Sequence, residues 1–154
     1  MLKKLNHFFN TLLEQKDETK NIQRPLELAC AVLLCEIMRA DGHLSPAEEQ
    51  QLLNILQQKF SLSRQQANEL LVNACSLSED ATDFYQFTSQ LNQTYSRNQR
   101  VEMVNLLWTI AYADGQLASI EEHIIRKISD LLHLRHSEYI ETKINAQAKQ
   151  VHNK

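Results

Sequence analysis

Glycine occurs only twice in the 154 residues, at Gly42 and Gly115, and both copies stand in the tripeptide Ala-Asp-Gly. A chain so sparing of glycine is built mainly of helices that end without it, and two identical exceptions mark two places that need a special turn. Aligned at an offset of 73, Glu36-Ile-Met-Arg-Ala-Asp-Gly-His-Leu-Ser-Pro-Ala-Glu-Glu49 matches Thr109-Ile-Ala-Tyr-Ala-Asp-Gly-Gln-Leu-Ala-Ser-Ile-Glu-Glu122. The chain reads as an internal duplication.

Apolar residues recur at helical spacing almost throughout, and no alternating β-branched run appears, which makes the fold class all-α. Helices are expected over roughly 2 to 16, 25 to 40, 46 to 60, 63 to 75, 82 to 95, 97 to 113, 119 to 133 and from 137 onward. The segment from Leu26 to Met38 is apolar nearly all round, as a central helix packed on most sides must be. Ser45-Pro46-Ala47-Glu48 has the residues of a helix start with a capping box, and Ser63 with Gln66 opens another helix. Residues Ser76 to Asp80 read as a polar turn. The expectation is one domain over 1–154, a compact bundle of about seven to eight helices in two pseudo-twofold related four-helix halves, roughly 1–77 and 80–150. Neither half alone has a secure core, so the two central helices should pack on each other.

With 43% apolar and 23% charged residues the chain has the composition of an ordinary soluble domain. A net charge of −3 gives no footprint for nucleic acid, which needs a concentrated basic surface. The longest apolar stretch, Leu28 to Cys35, is far too short for a transmembrane segment. The N-terminal residues lack a signal-like cleavage region, so the expected location is cytoplasmic. Cys30, Cys35 and Cys75 show no Cys-x-x-Cys spacing and read as buried thiols of a reducing compartment.

The aspartates at the two corners carry the functional question. Asp41 and Asp114 fall where a helix ends, near carbonyls that disfavour a carboxylate by about 0.3–1 kcal/mol at exposed sites. The carboxylate can turn forward to cap the next helix, pair with Lys or Arg, or help hold a cation. Glu48 and Glu121, seven residues past each aspartate, fall in the first turn of the next helix and can face back. Such oxygen-only chemistry suits Ca2+ or Mg2+ rather than zinc. An EF-hand is excluded, because its twelfth position would be Leu52 or Ile125 rather than glutamate. Capping and hydration account for the same residues without any ion, and both readings stay open here.

These residues resemble the TerB-like tellurite-resistance family, over nearly the whole chain. The resemblance rests on an apolar helix ending in Ala40-Asp41-Gly42 with Glu48 following, repeated as Ala113-Asp114-Gly115 with Glu121. It implies an all-helical domain whose acidic residues Asp41, Glu48, Asp114 and Glu121 are metal-ligand candidates, with links to stress, tellurite and phage resistance and no enzyme chemistry. The same domain occurs at the N-terminus of a membrane-anchored J-domain co-chaperone, but this chain has no His-Pro-Asp tripeptide. Ser45-Pro46 aligns with Ala118-Ser119, so the two caps must differ.

Other constellations have plainer readings. His123, His133 and His136 with Asp130 belong to a solvated face, because Leu131, Leu132 and Leu134 claim the core side. Glu36 lies in an apolar helix and either leans toward the corner or, as buried charge demands a partner, pairs with a residue such as Arg97 or Arg100. Trp108 and Tyr112 are core or interface anchors rather than a ligand cage. The leading expectation is a non-enzymatic cytoplasmic module acting through protein partners, a second copy of itself among them. The competing one is a metal-dependent enzyme drawing carboxylates from both corners. A third, a partner-binding groove, requires a contiguous exposed apolar patch.

Overall fold

The computed structural model describes residues 18–40, 42, 46–80, 83–113 and 117–152, with side chains described from Pro25 to Lys149 among them. The helix expected over 2 to 16, and the residues Asp41, Ser45, Asp114 and Gly115, lie outside the described residues. The described residues form seven helices and no strand: α1 (Glu18–Arg39), α2 (Pro46–Phe60), α3 (Arg64–Asp80), α4 (Tyr85–Thr94), α5 (Arg97–Ala111), α6 (Ser119–Leu131) and α7 (His136–His152).

The apolar run of α1 is the centre of the fold. Every residue from Leu28 to Cys35 is at most 1% exposed, so the helix is enclosed on all sides as its sequence demands. It packs on α2, α3, α4, α5 and α6. The counterpart α5 packs on α1, α2, α6 and α7, and contributes Met103, Val104, Leu107, Trp108 and Ile110 to the same core. The two central helices repeat one packing order: α1 lies on α2, α3 and α6, and α5 lies on α6, α7 and α2.

Two boundaries differ from the sequence expectation, each for a tertiary or local reason. Helix α1 begins at Glu18 rather than near Pro25, which sits inside it. Proline at the eighth residue removes the hydrogen bond to the carbonyl four residues back, and the helix continues on both sides of it. Helix α3 continues through Ser76 to Asp80 instead of fading into a turn. Leu77 and Ser78 are 5% and 4% exposed, so contacts to α1 extend a helix that local propensity would end.

The remaining ends follow from capping chemistry. Ser63 Oγ accepts from Gln66 N–H at 3.1 Å while Gln66 Oε1 accepts from Ser63 N–H at 2.9 Å, and Ser96 with Gln99 makes the same reciprocal box. Helix α2 closes over Ser61 (φ 55°) and α6 over His133 (φ 63°), both left-handed residues that are not glycine. Leu62 N–H then reaches Gln57 C=O and Leu134 N–H reaches Ser129 C=O, each at 3.1 Å, which satisfies carbonyls left open at the helix ends. Glycine scarcity is thus met by strained serine and histidine at equivalent turns of the two halves.

Candidate functional site

At the first corner α1 ends at Arg39, and Gly42 N–H closes onto Arg39 C=O at 3.0 Å. Gly42 has φ +79°, and a Cβ built there would meet nothing within 4 Å. Glycine is therefore required by backbone conformation alone, as expected for a residue just past a helix cap. Asp41 and Asp114 lie outside the described residues. The glutamates that follow them do not.

Glu48 and Glu121 are each the third residue of their helices and each is 1% exposed, whereas Glu49 beside Glu48 is exposed. Helical register explains the inward turn. Glu48, Leu52 and Ile55 stand at i, i+4 and i+7 on α2, as do Glu121, Ile125 and Ile128 on α6, and all of the apolar members are core residues. Both carboxylates therefore occupy core positions at helix N-termini. An ionised carboxylate taken from water costs several kcal/mol unless opposite charge or N–H donors replace the lost hydration.

Part of that replacement is visible at the second corner. Ala118 N–H donates to Glu121 Oε1 at 3.0 Å, so Glu121 caps its own helix, in the region where the dipole favours negative charge. Ala118 has no side-chain acceptor to return the bond, so this is half of a capping box, in keeping with the unequal caps expected from sequence. Glu122 points the other way and pairs with Lys143 of α7. That pairing is the first cause holding the Lys143 ammonium above its ordinary pKa, against a smaller opposing effect of burial.

For a hard cation the chemistry of this donor set fits, since the described side chain that each corner contributes is a buried carboxylate. Glu48 and Glu121 are the described residues that could hold one; no group of three His, Cys, Asp or Glu side chains converges among the described residues. The flanks of the two corners share one depression. A cleft of about 510 Å³ runs from Ala47 and Gln51 at the start of α2 to Trp108, Tyr112 and Ala113 at the end of α5.

Other sequence candidates resolve as follows. Trp108 is a core anchor: its Nε1 donates to Thr142 Oγ1 at 3.0 Å, and its ring lies 6.1 Å from Tyr112 and 5.8 Å from Tyr139. His123, His133, His136 and Asp130 are all exposed, as a solvated face requires. Glu36 pairs with neither Arg97 nor Arg100, which corrects the expectation. Arg97 makes a forked ion pair with Glu138, and Arg100 Nη1 donates to Leu132 C=O at 2.8 Å. Glu36 Oε1 instead accepts from Ser78 Oγ at 2.6 Å, and Ser78 Oγ accepts from Arg39 Nη1 at 2.7 Å.

This Glu36–Ser78–Arg39 chain joins α1 to α3 one turn before the first corner. Burial is the main influence on Glu36 and pushes its carboxyl above the ordinary range, while Ser78 and Arg39 pull it back. Sequence reasoning missed this contact, because Ser78 lies in no motif and meets Arg39 and Glu36 only when α3 is laid along α1. The cysteines also differ from expectation. Cys30 and Cys35 are buried, but Cys75 is only partly buried, and its sulfur lies 3.2 Å from that of Cys35.

None of the described helices is long and apolar enough to cross a membrane. Neither a curated protein nor a solved structure matches the chain. The family model described as tellurite resistance protein TerB matches residues 27–144, from Glu27 in the third turn of α1 to the middle of α7, and takes in both Ala-Asp-Gly corners. With that match covering most of its length, and with the all-helical bundle it calls for, the chain belongs to the TerB family.

Proposed function

We propose that this chain is a non-enzymatic, cytoplasmic interaction module of the TerB type, in which a divalent cation, Ca2+ or Mg2+, joins each helix end to its successor at the acidic corners. The observation that carries the reading is the burial of Glu48 and Glu121 at matching positions of α2 and α6. A first-turn glutamate that served only the helix dipole would gain as much from solvent, as Glu49 does, without the desolvation cost. Asp41 and Asp114 would complete the oxygen donors, with backbone carbonyls of the turns. The role is structural: fixing the corner fixes the surface presented to a protein partner. Val72, Tyr85, Ile120 and Ile144 are large apolar side chains left exposed, and are the residues we assign to such contacts.

The non-enzymatic reading is supported by the employment of charged groups in contacts between helices. Glu36 is held by Ser78, Glu138 by Arg97 and Glu122 by Lys143, all in links between helices. The shared cleft from Ala47 to Ala113 favours the second reading, a metal-dependent enzyme whose corners face one cavity. A link to stress and tellurite resistance follows from family membership and belongs to the same proposal.

Calorimetric titration of the full chain with calcium and with magnesium tests the cation, alongside the Asp41→Asn, Asp114→Asn double variant. Binding at one hundred times Kd should stabilise the native chain by about 2.7 kcal/mol per site. That is a rise in Tm of about 5–10 °C, lost in the variant. Absence of heat and of any Tm shift in the unmodified chain overturns the cation, and metal-dependent hydrolysis of a phosphoester or peptide substrate panel would replace the module by the enzyme.

A further inference from the structure

Two of the three cysteines are brought together by the packing of α3 on α1, and the proposed corner function makes no use of them. Cys35 Sγ and Cys75 Sγ lie 3.2 Å apart although 40 residues separate them in sequence. A disulfide requires about 2.05 Å between sulfurs, so closure is a movement of roughly 1.2 Å, within the reach of side-chain rotation. Cys35 is fully enclosed and Cys75 is only partly buried, so Cys75 is the member of the pair nearer to solvent.

We propose that Cys35 and Cys75 are a thiol oxidation site, which a hydroperoxide converts reversibly into a disulfide that clamps α1 to α3 beside the first corner. The roles of the two sulfurs follow from their surroundings. Cys75 attacks. Its sulfur shares a hydrogen bond with that of Cys35, which is the first cause holding its thiol below the ordinary value, and Arg39, fixed on Ser78 one turn further along α3, adds in the same sense. Partial burial, and then Glu79 and Glu49, oppose that effect and are outweighed. Cys35 resolves, since its bond to Cys75 and its burial both keep it protonated.

The chemistry balances in two steps. Cys75 thiolate attacks one oxygen of hydrogen peroxide, the O–O bond breaks, hydroxide leaves, and the sulfur becomes a sulfenic acid. Cys35 sulfur then attacks the Cys75 sulfur, the S–O bond breaks, and the leaving hydroxyl takes the Cys35 proton as water. Two electrons pass from the two thiols to the peroxide, and a dithiol reductant reverses the change by exchange. Cys30 is the internal control: it is fully buried, bonded to Tyr95 OH at 3.2 Å, and burial pushes its thiol up to about 11.

The test is brief treatment of the folded full chain with one to a few equivalents of hydrogen peroxide, alkylation, and intact-mass and non-reducing peptide mapping. The expected product has lost two hydrogens, carries a Cys35–Cys75 linkage, returns to the thiol form with dithiothreitol, and melts roughly 8–16 °C higher, as closure of a 40-residue loop would give. C35S should stop at a dimedone-reactive sulfenic acid on Cys75, C75S should form no linkage, and C30S should behave as the unmodified chain. Circular dichroism confirms that each variant is folded. Intermolecular dimers, a linkage through Cys30, or both thiols remaining alkylatable once the peroxide-treated chain is denatured would overturn the proposal.

Discussion

Replacing Ser78 by alanine isolates the polar link between α1 and α3. In the native chain Ser78 Oγ accepts from Arg39 Nη1 at 2.7 Å and donates to Glu36 Oε1 at 2.6 Å, in a residue only 4% exposed. Ser78→Ala leaves the Glu36 carboxylate without that donor in a site where burial already raises its pKa. A hydrogen bond to a charged group contributes about 1.5–3 kcal/mol, and solvent access to the half-buried Glu36 places this one toward the lower end, near 2 kcal/mol. When the carboxyl is protonated the remaining neutral bond contributes about 1 kcal/mol. In a domain of this size those losses lower Tm by about 4–8 °C at neutral pH and about 2–4 °C in acid.

The sign of the pH effect follows from the raised pKa. Between the unfolded value and the higher folded value, the folded chain holds more protons, so the Glu36 contribution to stability falls as pH rises. Its favourable part is complete below the unfolded value of 4.5 and is lost as pH climbs through the folded one. Ser78→Ala removes a donor that lowers the folded value, so the window widens upward and the gap to the unmodified chain opens with pH. Thermal melts followed by circular dichroism from pH 4 to 8 would measure this, with Glu36→Gln and the double variant completing a cycle. Equal Tm losses at both ends of the range, or a Ser78→Ala cost unchanged in the Glu36→Gln background, would refute the reasoning.

Two further outcomes are expected. Gly42→Ala should destabilise by about 1 kcal/mol, because a left-handed alanine costs about 1–2 kcal/mol while the unfolded chain loses entropy worth about 0.4–1 kcal/mol. Gly42→Asn should cost less, since asparagine tolerates the left-handed region; equal urea midpoints for Gly42→Ala and the unmodified chain would show that φ +79° is not needed. Glu138 is held below its ordinary pKa by Arg97 first and by the Arg135 N–H next, so its contribution is present above the unfolded value and lost as pH falls through the folded one. Glu138→Gln should therefore lower Tm at pH 7 more than at pH 3, and less in high salt than in low salt, a pattern readable by differential scanning fluorimetry.

The all-helical architecture was legible in the sequence because its signals are local. Helical spacing of apolar residues located five of the seven described helices to within a few residues, and the box at Ser63 with Gln66 is complete within four consecutive positions. The corners were legible as a repeat, and the spacing of Glu48 to Leu52 and Ile55, and of Glu121 to Ile125 and Ile128, already places both glutamates on core stripes. Their near-total exclusion from solvent is a tertiary fact, since a stripe shows direction and only neighbouring helices decide how much water remains. The same holds at the end of α3, where Leu77 and Ser78 are held helical by α1 against a polar, turn-like local sequence.

What the sequence by itself determined is therefore the set of helices, their caps, and a duplicated acidic turn built around two glycines. The tertiary structure alone decided which distant residues meet: Glu36 with Ser78 rather than with Arg97 or Arg100, Arg97 with Glu138, and Cys35 with Cys75. Hydrophobic periodicity specifies which face of a helix turns inward, but it is silent on the axial offset and crossing of two helices. Partners 40 residues apart are set by that offset, and a shift of one turn along α1 would carry Ser78 and Cys75 past their partners altogether.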